Sequence, residues 1–278
     1  MARDKGNPIL WKLIQFFAIV WLIIAGGPFV YQIVTTLKTS GEFMTGNLFD
    51  RPQKFYIQNY VTVLNDGFFR YFFNSLFVLA ISLFLLLSLS AFAAYPLARM
   101  KFKLNKPVFS MIVAAMSIPI HITLIPVFIM TIRFGIYDSL YALIGPNVAF
   151  DLPMSVFILT NFMKTISAEM EEAAEIDGCG KFASFFKVIL PLSTPGLATL
   201  AIYNGAMIWN EFIFVMTLTQ SQTNRTLPLA VWQYQGQHSI HIPLIMAVLV
   251  ISSLPVILLY IFGQDRIVRG MMAGALKG

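Results

Sequence analysis

The chain has 278 residues, of which 58% are hydrophobic and 12% are charged, whereas a soluble domain carries about 25% charged residues. This composition excludes an ordinary soluble enzyme and predicts a chain that lies mostly in a membrane. The net charge of +6 fits basic membrane flanks better than a nucleic-acid-binding surface, and the single cysteine, Cys179, excludes an intrachain disulfide and any multi-cysteine metal site.

Six runs with few charged residues are long enough to span a membrane, which takes about 20 apolar residues. In chain order they are Leu13–Val34, Phe72–Tyr95, Val108–Ile132, Tyr141–Phe162, Leu197–Leu218 and Ile242–Phe262. The first run exceeds the apolar core of a signal peptide and no small-residue cleavage site follows it, so we interpret it as a retained anchor. The sequence therefore predicts an all-α, polytopic membrane protein with six transmembrane helices and both termini on one side.

The lysines and arginines predict the orientation of these spans. Thirteen of them lie in the two termini and in the segments after spans two and four, and six lie on the opposite side. Cytosolic flanks carry the excess of basic residues in membrane proteins. We therefore expect both termini in the cytosol, with lipid surrounding the spans and no nucleic-acid partner.

The longest segment on the predicted cytosolic side, residues 164–195, is predicted to form two short helices around a glycine turn. Ser167 can cap the first helix, and Gly178 can adopt the left-handed conformation that ends it. The second helix is predicted from about Lys181 to Leu190, and Pro191 helps to separate it from span five. By physics alone, this hairpin could equally lie at the interface and only return the chain to the membrane.

The same segment carries a long motif. It consists of Glu172-Ala173-Ala174, then Gly178, then Val188 and Leu190-Pro191 at fixed spacing. This motif resembles the EAA loop of binding-protein-dependent ABC importer permeases, with Val188 where isoleucine is usual. We call residues 164–195 the EAA segment, and the two predicted helices with their glycine turn the EAA hairpin.

Three further stretches support a resemblance to the carbohydrate-uptake branch of these permeases. Pro119 to Pro126 resembles the third-span motif, with His121 in place of the usual glutamine, and Trp209 to Phe212 resembles the fifth-span motif. The ending from Gly270 to Gly278 is similar to the tail of a MalG-like subunit. The resemblance covers residues from about 70 to 278.

The resemblance implies a type I ABC importer permease fold in which the first EAA helix docks in a cleft of a cytosolic ATPase. It assigns ATPase coupling to Glu172, Ala173, Ala174, Asp177, Gly178 and Pro191, and a tail contact with the ATPases to Gly270, Gly274 and Gly278. The alanines and Gly178 would leave a low surface that a partner can approach closely. Glu172 and Asp177 could pair with its basic groups.

The partners that the resemblance implies are a MalF-like second permease forming a heterodimer, two ATPase subunits and an extracytoplasmic solute-binding protein. The chain has no GxxxxGK[ST] phosphate loop, so we expect ATP and Mg to be bound by the partner ATPase, with no cofactor, metal site or catalytic residue in this chain. The predicted parts are residues 1–69 (N-terminus, first span and outer loop), 70–263 (core permease domain) and 264–278 (cytosolic tail).

Ionisable groups inside spans are candidates for function, because each is costly in a membrane unless it faces protein or water. Glu211 in span five is the clearest, and Asn204, seven residues earlier, would lie on the same helix face along the transport path. Asn210 would point about 100° away, against a neighbouring helix. An interhelical clamp is the alternative role for Glu211, and helix packing is the alternative for Trp209.

Span four carries Pro146 and Pro153, which should break or kink its helix near Asn147 and Asp151. Broken spans often line transport sites, because freed backbone groups are tolerated only beside protein or water. A structural pairing with another span is the alternative for Asp151. The predicted substrate pathway therefore comprises Asn147, Asp151, Asn204, Trp209, Asn210 and Glu211.

Three classes of function compete for this sequence. An ATP-driven importer subunit, working by alternating access, accounts for the EAA motif. A stand-alone secondary carrier or channel would need its own coupling carboxylates and usually inverted repeats, and a membrane enzyme would need an organised catalytic motif. For an importer, oligosaccharides are the predicted solutes, and glycerol-phosphate or uronic-acid oligomers are the alternatives.

Overall fold

The computed structural model describes residues 8–47, 50–234 and 241–275, with the backbone alone in residues 264–275. Every regular element in these ranges is helical, which confirms the predicted all-α class. The α-helices in chain order are α1 (Pro8–Thr36), α2 (Ser40–Thr45), α3 (Gln58–Val63), α4 (Phe69–Arg99), α5 (Asn105–Ala115), α6 (Ile120–Arg133), α7 (Tyr141–Thr165), α8 (Ala168–Ile176), α9 (Lys181–Ser184), α10 (Leu190–Leu192), α11 (Thr194–Trp209), α12 (Ile213–Leu218), α13 (Leu227–Ala230) and α14 (Ile242–Ala275).

Short segments of other helical types join some of these elements. π-Helical turns occupy Leu64–Phe68 and Phe185–Ile189, and 3-10 turns occupy Gln222–Asn224 and Val231–Tyr234. The second π-helical turn joins α9 to α10, so the second helix of the EAA segment runs unbroken from Lys181 to Leu192. It passes through Pro191, whereas we predicted an end near Leu190.

Four helical stretches of the described chain are long and apolar enough to cross a membrane, and up to six if each of two bent pairs is one span. The four are Ile9–Thr36, Gln58–Arg99, Tyr141–Thr165 and Ile242–Gly263. The bent pairs are α5 with α6, at 95°, and Lys181–Leu192 with α11, at 67°. The six predicted apolar runs thus correspond to helices, but two of them differ in shape from the prediction.

The predicted third span, Val108–Ile132, is not one straight helix. The chain bends between Ala115 and Ile120, where Pro119 has extended backbone angles. Proline has no amide hydrogen to donate, and it disfavours helical geometry in the residue before it. These two effects account for the bend.

The prediction that span four breaks is wrong. α7 continues as an α-helix from Tyr141 to Thr165 with Pro146 and Pro153 inside it. Prolines are tolerated in membrane helices that are supported by their neighbours, and α7 packs against α4, α5, α6, α11 and α12. The break lies instead in span five, between Trp209 and Ile213.

The chain forms two compact units, each described by itself. The first comprises Met1–Phe68 and Val231–Ser253. In it the buried Asn59 joins α3 to the end of α1, because its Nδ2 donates hydrogen bonds to the carbonyl oxygens of Thr36 and Lys38, at 2.8 Å each. The side chains of α1 are largely exposed within this chain, as is usual for a helix that contacts lipid or another subunit.

The second unit comprises Phe69–Ala230 and Leu254–Gly278, and its centre is the pairing of α4 with α7. α4 buries a row of small side chains: Ser75, Ser82, Ser90, Ala91 and Ala94. Small residues let membrane helices approach closely, because lipid gives little hydrophobic drive for helix association. α11 packs beside both helices.

One end of this second unit carries the EAA segment, and we call it the EAA end. Phe185 and Ile189 are buried there in a cluster with Tyr95 of α4 and with Leu159 and Met163 of α7. The hairpin is therefore packed onto the ends of two spans. Because the EAA segment packs against both helices, a change in the tilt of α4 relative to α7 would displace it.

At the opposite end, Asp138 clamps two loops together. It lies between α6 and α7, and its Oδ1 accepts hydrogen bonds from the backbone amides of Gln220, at 2.8 Å, and Ser221, at 2.9 Å. The Ser221 hydroxyl donates to Oδ2, and the Asn224 side chain donates to the Asp138 carbonyl oxygen. Partial burial raises the pKa of Asp138, but these hydrogen bonds outweigh that effect and lower the pKa to about 2.

Replacing Asp138 by asparagine should loosen this clamp. We expect the amides of Gln220 and Ser221 to exchange hydrogen about 5-fold faster, which corresponds to about 1 kcal/mol for partly exposed hydrogen bonds to a charged group. The Thr219 amide, which bonds to the Val215 carbonyl, is the internal control. Since the folded pKa is lowered from 3.8, the stabilisation is complete above about pH 4 and is lost as the pH falls through about 2. Unchanged exchange at Gln220 and Ser221 would contradict this role.

Candidate functional site: a cavity at the break in span five, and the EAA hairpin

The break in span five is stabilised by two adjacent polar side chains. Asn210 ends α11, and its Nδ2 donates a hydrogen bond to the Ala206 carbonyl oxygen at 2.8 Å. Glu211 accepts hydrogen bonds from the amides of Phe214, at 2.7 Å, and Val215, at 3.2 Å, in the first turn of α12. Helix ends leave carbonyl and amide groups unpaired, so these side chains compensate for the interrupted helix.

A cavity of about 370 Å³ lies beside this break. Its polar lining groups are two carboxylates, Asp151 and Glu211, and two carboxamides, Asn147 and Asn210. The rest of the lining is apolar and partly aromatic: Ile120, Phe150, Met207, Phe212, Ile213 and Phe214. A few polar groups in a mostly apolar cavity are typical of sites for small ligands.

Four of the six predicted pathway residues thus share one cavity, and the other two do not line it. Asn204 is 1% exposed, and its Nδ2 donates a hydrogen bond to Ser155 Oγ of α7 at 2.9 Å. Trp209 is buried with its ring edge-on to Phe72, at 5.7 Å between centroids. The prediction of one helix face shared by Asn204 and Glu211 was wrong because the helix ends between them, and that break brings Asn210 into the cavity.

The EAA hairpin has the predicted local geometry. Ser167 caps α8, because its Oγ accepts a hydrogen bond from the Glu169 amide at 3.3 Å. Gly178 has φ of +83°, the left-handed conformation expected of it. Apart from its two chain neighbours, a Cβ at Gly178 would meet no atom of the described residues within 4 Å, so the turn faces open space.

The predicted coupling residues are mostly on the outer surface of the hairpin. Glu172, Ala173, Asp177, Gly178 and Pro191 are exposed. Ala174 is buried within the chain, so it supports the hairpin from inside and cannot be part of the low outer surface that we predicted. The sequence reasoning missed Ile176, whose side chain is 87% exposed on α8. Single exposed apolar side chains are common on protein surfaces, so Ile176 extends the exposed face of α8 without identifying what contacts it.

A buried polar network anchors α8 to the end of α4, and it too was missed. Glu171 is 8% exposed, and its Oε1 accepts a hydrogen bond from the Tyr95 hydroxyl at 2.7 Å. Its Oε2 lies 3.6 Å from Arg99 Nε, and Arg99 Nη2 donates to the Ile166 carbonyl oxygen at 2.8 Å. The Tyr95 hydroxyl also lies 3.2 Å from the Lys181 carbonyl oxygen. Sequence alone offered one weak signal for this network, namely that Glu171 is an acidic residue in the first turn of the helix that follows span four.

The predicted tail contacts can be described only in part. Gly270 and Gly274 lie in α14, which continues from span six to Ala275 without a separate tail conformation. Gly278 lies outside the described residues. Among the described residues, no cluster of histidine, cysteine or carboxylate side chains could hold a metal ion.

Comparisons with known proteins place these features in a family. Residues 87–273 match the family of binding-protein-dependent transport system inner membrane components. An ABC transporter permease protein of Caldicellulosiruptor sp. is 50% identical over 262 residues, which is 94% of this chain and 95% of that protein. The trehalose/maltose transport system permease protein MalG of Thermococcus litoralis is 34% identical over 269 residues, which is 94% of this chain and 95% of MalG.

The fold has a solved counterpart. A chain of a bacterial ABC transporter involved in the import of the acidic polysaccharide alginate matches with a TM-score of 0.81 and 20% identity, covering 95% of this chain and 99% of that chain. At this identity the likeness concerns the fold alone, and it confirms the type I importer permease fold. The chain therefore belongs to the family of inner-membrane permease components of binding-protein-dependent ABC transport systems.

Proposed function

We propose that this chain forms one half of the translocation path of an ATP-driven importer for uncharged oligosaccharides. A MalF-like permease would form the other half, two cytosolic ATPases would bind the EAA hairpins, and an external binding protein would deliver the solute. ATP and Mg would be bound by the ATPases, and both termini would lie in the cytosol by the distribution of basic residues.

One observation carries this proposal, namely the continuous packing from the EAA hairpin to the cavity. Glu171 joins α8 to α4, and α4 packs against α7, which supplies Asn147 and Asp151 to the cavity lining. Alternating access requires that a movement at the ATPase contact reach the solute site. This packing provides a mechanical route through buried side chains of one unit.

The charge of the cavity supports an uncharged solute. Its polar groups are carboxylates and carboxamides, which can accept and donate hydrogen bonds to hydroxyl groups, and aromatic rings that can stack on a sugar face. No lysine or arginine is among the lining residues. Phosphate or uronate groups would meet only negatively charged side chains in this cavity.

Cysteine labelling of the complex, reconstituted with its partner subunits, tests the proposal. In a Cys179→Ser background, Glu211→Cys and Asp151→Cys should react with a water-soluble thiol reagent, because thiolates form in water. Binding protein with solute, or trapped ATP, should change both rates by about 10-fold as the cavity opens to the other side. Asn204→Cys is the matched control, since this position is buried between α11 and α7 and should stay unlabelled.

Two results would contradict the proposal. If the labelling rates of Glu211→Cys and Asp151→Cys do not change with ATP or binding protein, the cavity takes no part in alternating access. Faster uptake of glycerol phosphate than of neutral oligosaccharides by the same vesicles would contradict the solute class alone. The first result concerns the path and the second only its selectivity, so the two are distinguishable.

A further inference from the structure

A second and larger cavity, of about 940 Å³, lies at the EAA end of the second unit. Its lining includes four lysines: Lys101, Lys103, Lys106 and Lys164. No acidic residue lines it, and the sequence from Pro96 to Tyr137 contains no aspartate or glutamate. The cavity is therefore strongly positive and has no carboxylate of its own.

The lysines around this cavity are not used by the network that anchors the hairpin. The ion pairs found among the described residues are Arg99 with Glu171 and Lys181 with Glu175. Lys164 lies over the Phe109 ring, with its Nζ 5.1 Å from the centroid, which fixes one lysine at the cavity. Positive charges gathered around one cavity repel one another, and an anion bound among them would relieve this repulsion.

The position of the cavity indicates which class of anion could reach it. Leu97 belongs to the last turns of α4 and Lys164 to the last turn of α7, so the cavity lies where two membrane spans end. This is the depth of lipid headgroups. Phe102 and Leu104, beside the lysines, are 42% and 63% exposed, so both side chains are available for contact with acyl chains.

The walls of the cavity are held in place by hydrogen bonds. Asn105, at the start of α5, donates from Nδ2 to the carbonyl oxygens of Leu97, at 3.2 Å, and Met100, at 3.1 Å. The loop that carries Lys101 and Lys103 is thereby fixed to the end of α4. The neighbouring Arg99 holds Glu171, so a ligand here would contact the residues next to the anchor of the EAA hairpin.

We propose that this cavity binds the headgroup of an anionic phospholipid, with the phosphate among the lysines and the acyl chains against Phe102 and Leu104. Basic pockets between membrane helices select anionic headgroups in this way. The site is separate from the solute cavity, and the inference does not depend on the solute.

Lipid binding to the full-length chain in detergent, measured by native mass spectrometry, tests the proposal. We expect phosphatidylglycerol to bind at least about 10-fold more tightly than phosphatidylcholine, because each lysine near an anionic headgroup increases the binding affinity. The triple variant K101Q/K103Q/K106Q should lose this preference. The control triple K12Q/K54Q/K187Q removes the same charge from exposed positions outside the cavity and should keep it.

A second variant tests whether a folding defect explains the loss in K101Q/K103Q/K106Q. Ser110→Glu adds a carboxylate to the cavity lining and leaves all the lysines in place, so it should also reduce the preference for phosphatidylglycerol. Equal losses in both triple variants would overturn the proposal in favour of diffuse surface charge. Competition by glycerol phosphate at concentrations similar to the lipid would indicate a site for a soluble anion. Loss of ATPase association in the K101Q/K103Q/K106Q variant with unchanged lipid binding would indicate a protein contact.

Discussion

Replacing Gly178 by aspartate is expected to lower solute uptake and solute-stimulated ATPase activity by about 10- to 100-fold, while the permease still inserts and assembles. The Cβ at this position meets open space within the chain, so the chain itself does not clash with the new side chain. We expect the cost to arise at the ATPase that we propose covers the turn, since a charge buried there without a counter-ion costs several kcal/mol. The measurement is uptake by vesicles that contain the complete importer.

Two matched variants separate the causes of this loss. Gly178→Asn has nearly the same size as the aspartate variant and tolerates the φ of +83°, but adds no charge. Gly180→Asp adds the same charge two residues away, at an exposed position with φ of −71° that any residue adopts. We expect both to retain most of the uptake. Normal coupling in a correctly assembled Gly178→Asp complex would refute the role assigned to this turn.

Replacing Glu171 by alanine is expected to destabilise the permease by about 3 kcal/mol, because it leaves the buried Arg99 guanidinium without its carboxylate. The Arg99 side chain is 9% exposed and the Glu171 side chain 11%, so water compensates little. The Tyr95 hydroxyl would also lose a hydrogen bond of 2.7 Å. Thermal unfolding of the purified permease in detergent measures the effect.

The neighbouring Glu172 is the matched control for this substitution. It is exposed on the outer face of α8, so Glu172→Ala should change stability by less than about 0.5 kcal/mol. If Glu172 pairs with the ATPase, Glu172→Ala should also lower the coupling of ATP hydrolysis to uptake, while the stability stays unchanged. Replacing the pair by Arg99→Met with Glu171→Leu should recover much of the stability, since removing both charges leaves none unpaired. Equal unfolding temperatures for Glu171→Ala and wild type would exclude the anchoring role.

Local features of the EAA hairpin could be predicted from sequence because they depend on neighbouring residues. The Ser167 cap and the left-handed Gly178 follow from the chemistry of a hydroxyl and of a residue without a side chain. Tertiary partners could not be predicted in this way. Glu171 and Glu172 look alike in sequence, and only the packing of α8 onto α4 buries the first and exposes the second.

The breaks in the spans show the same division. Two prolines predicted a break in α7, but its neighbours support that helix throughout its length. Asn210 and Glu211 were singled out as polar residues in a span, yet a continuous helix would have turned them to different faces. Because each of them satisfies a helix end, the chain can break there, and both then line the cavity with Asn147 and Asp151.

The sequence by itself determined that the chain lies in a membrane, that it is all helical, and which segment carries the EAA motif. These properties follow from hydropathy and motif spacing, which depend only on residues close together in the sequence. Only the tertiary structure decided that Asn204 packs against Ser155, that Arg99 is paired with Glu171, and that four lysines surround one cavity. Each of those facts joins side chains from segments far apart in sequence, which meet only when α4, α5, α7, α8 and α11 pack together.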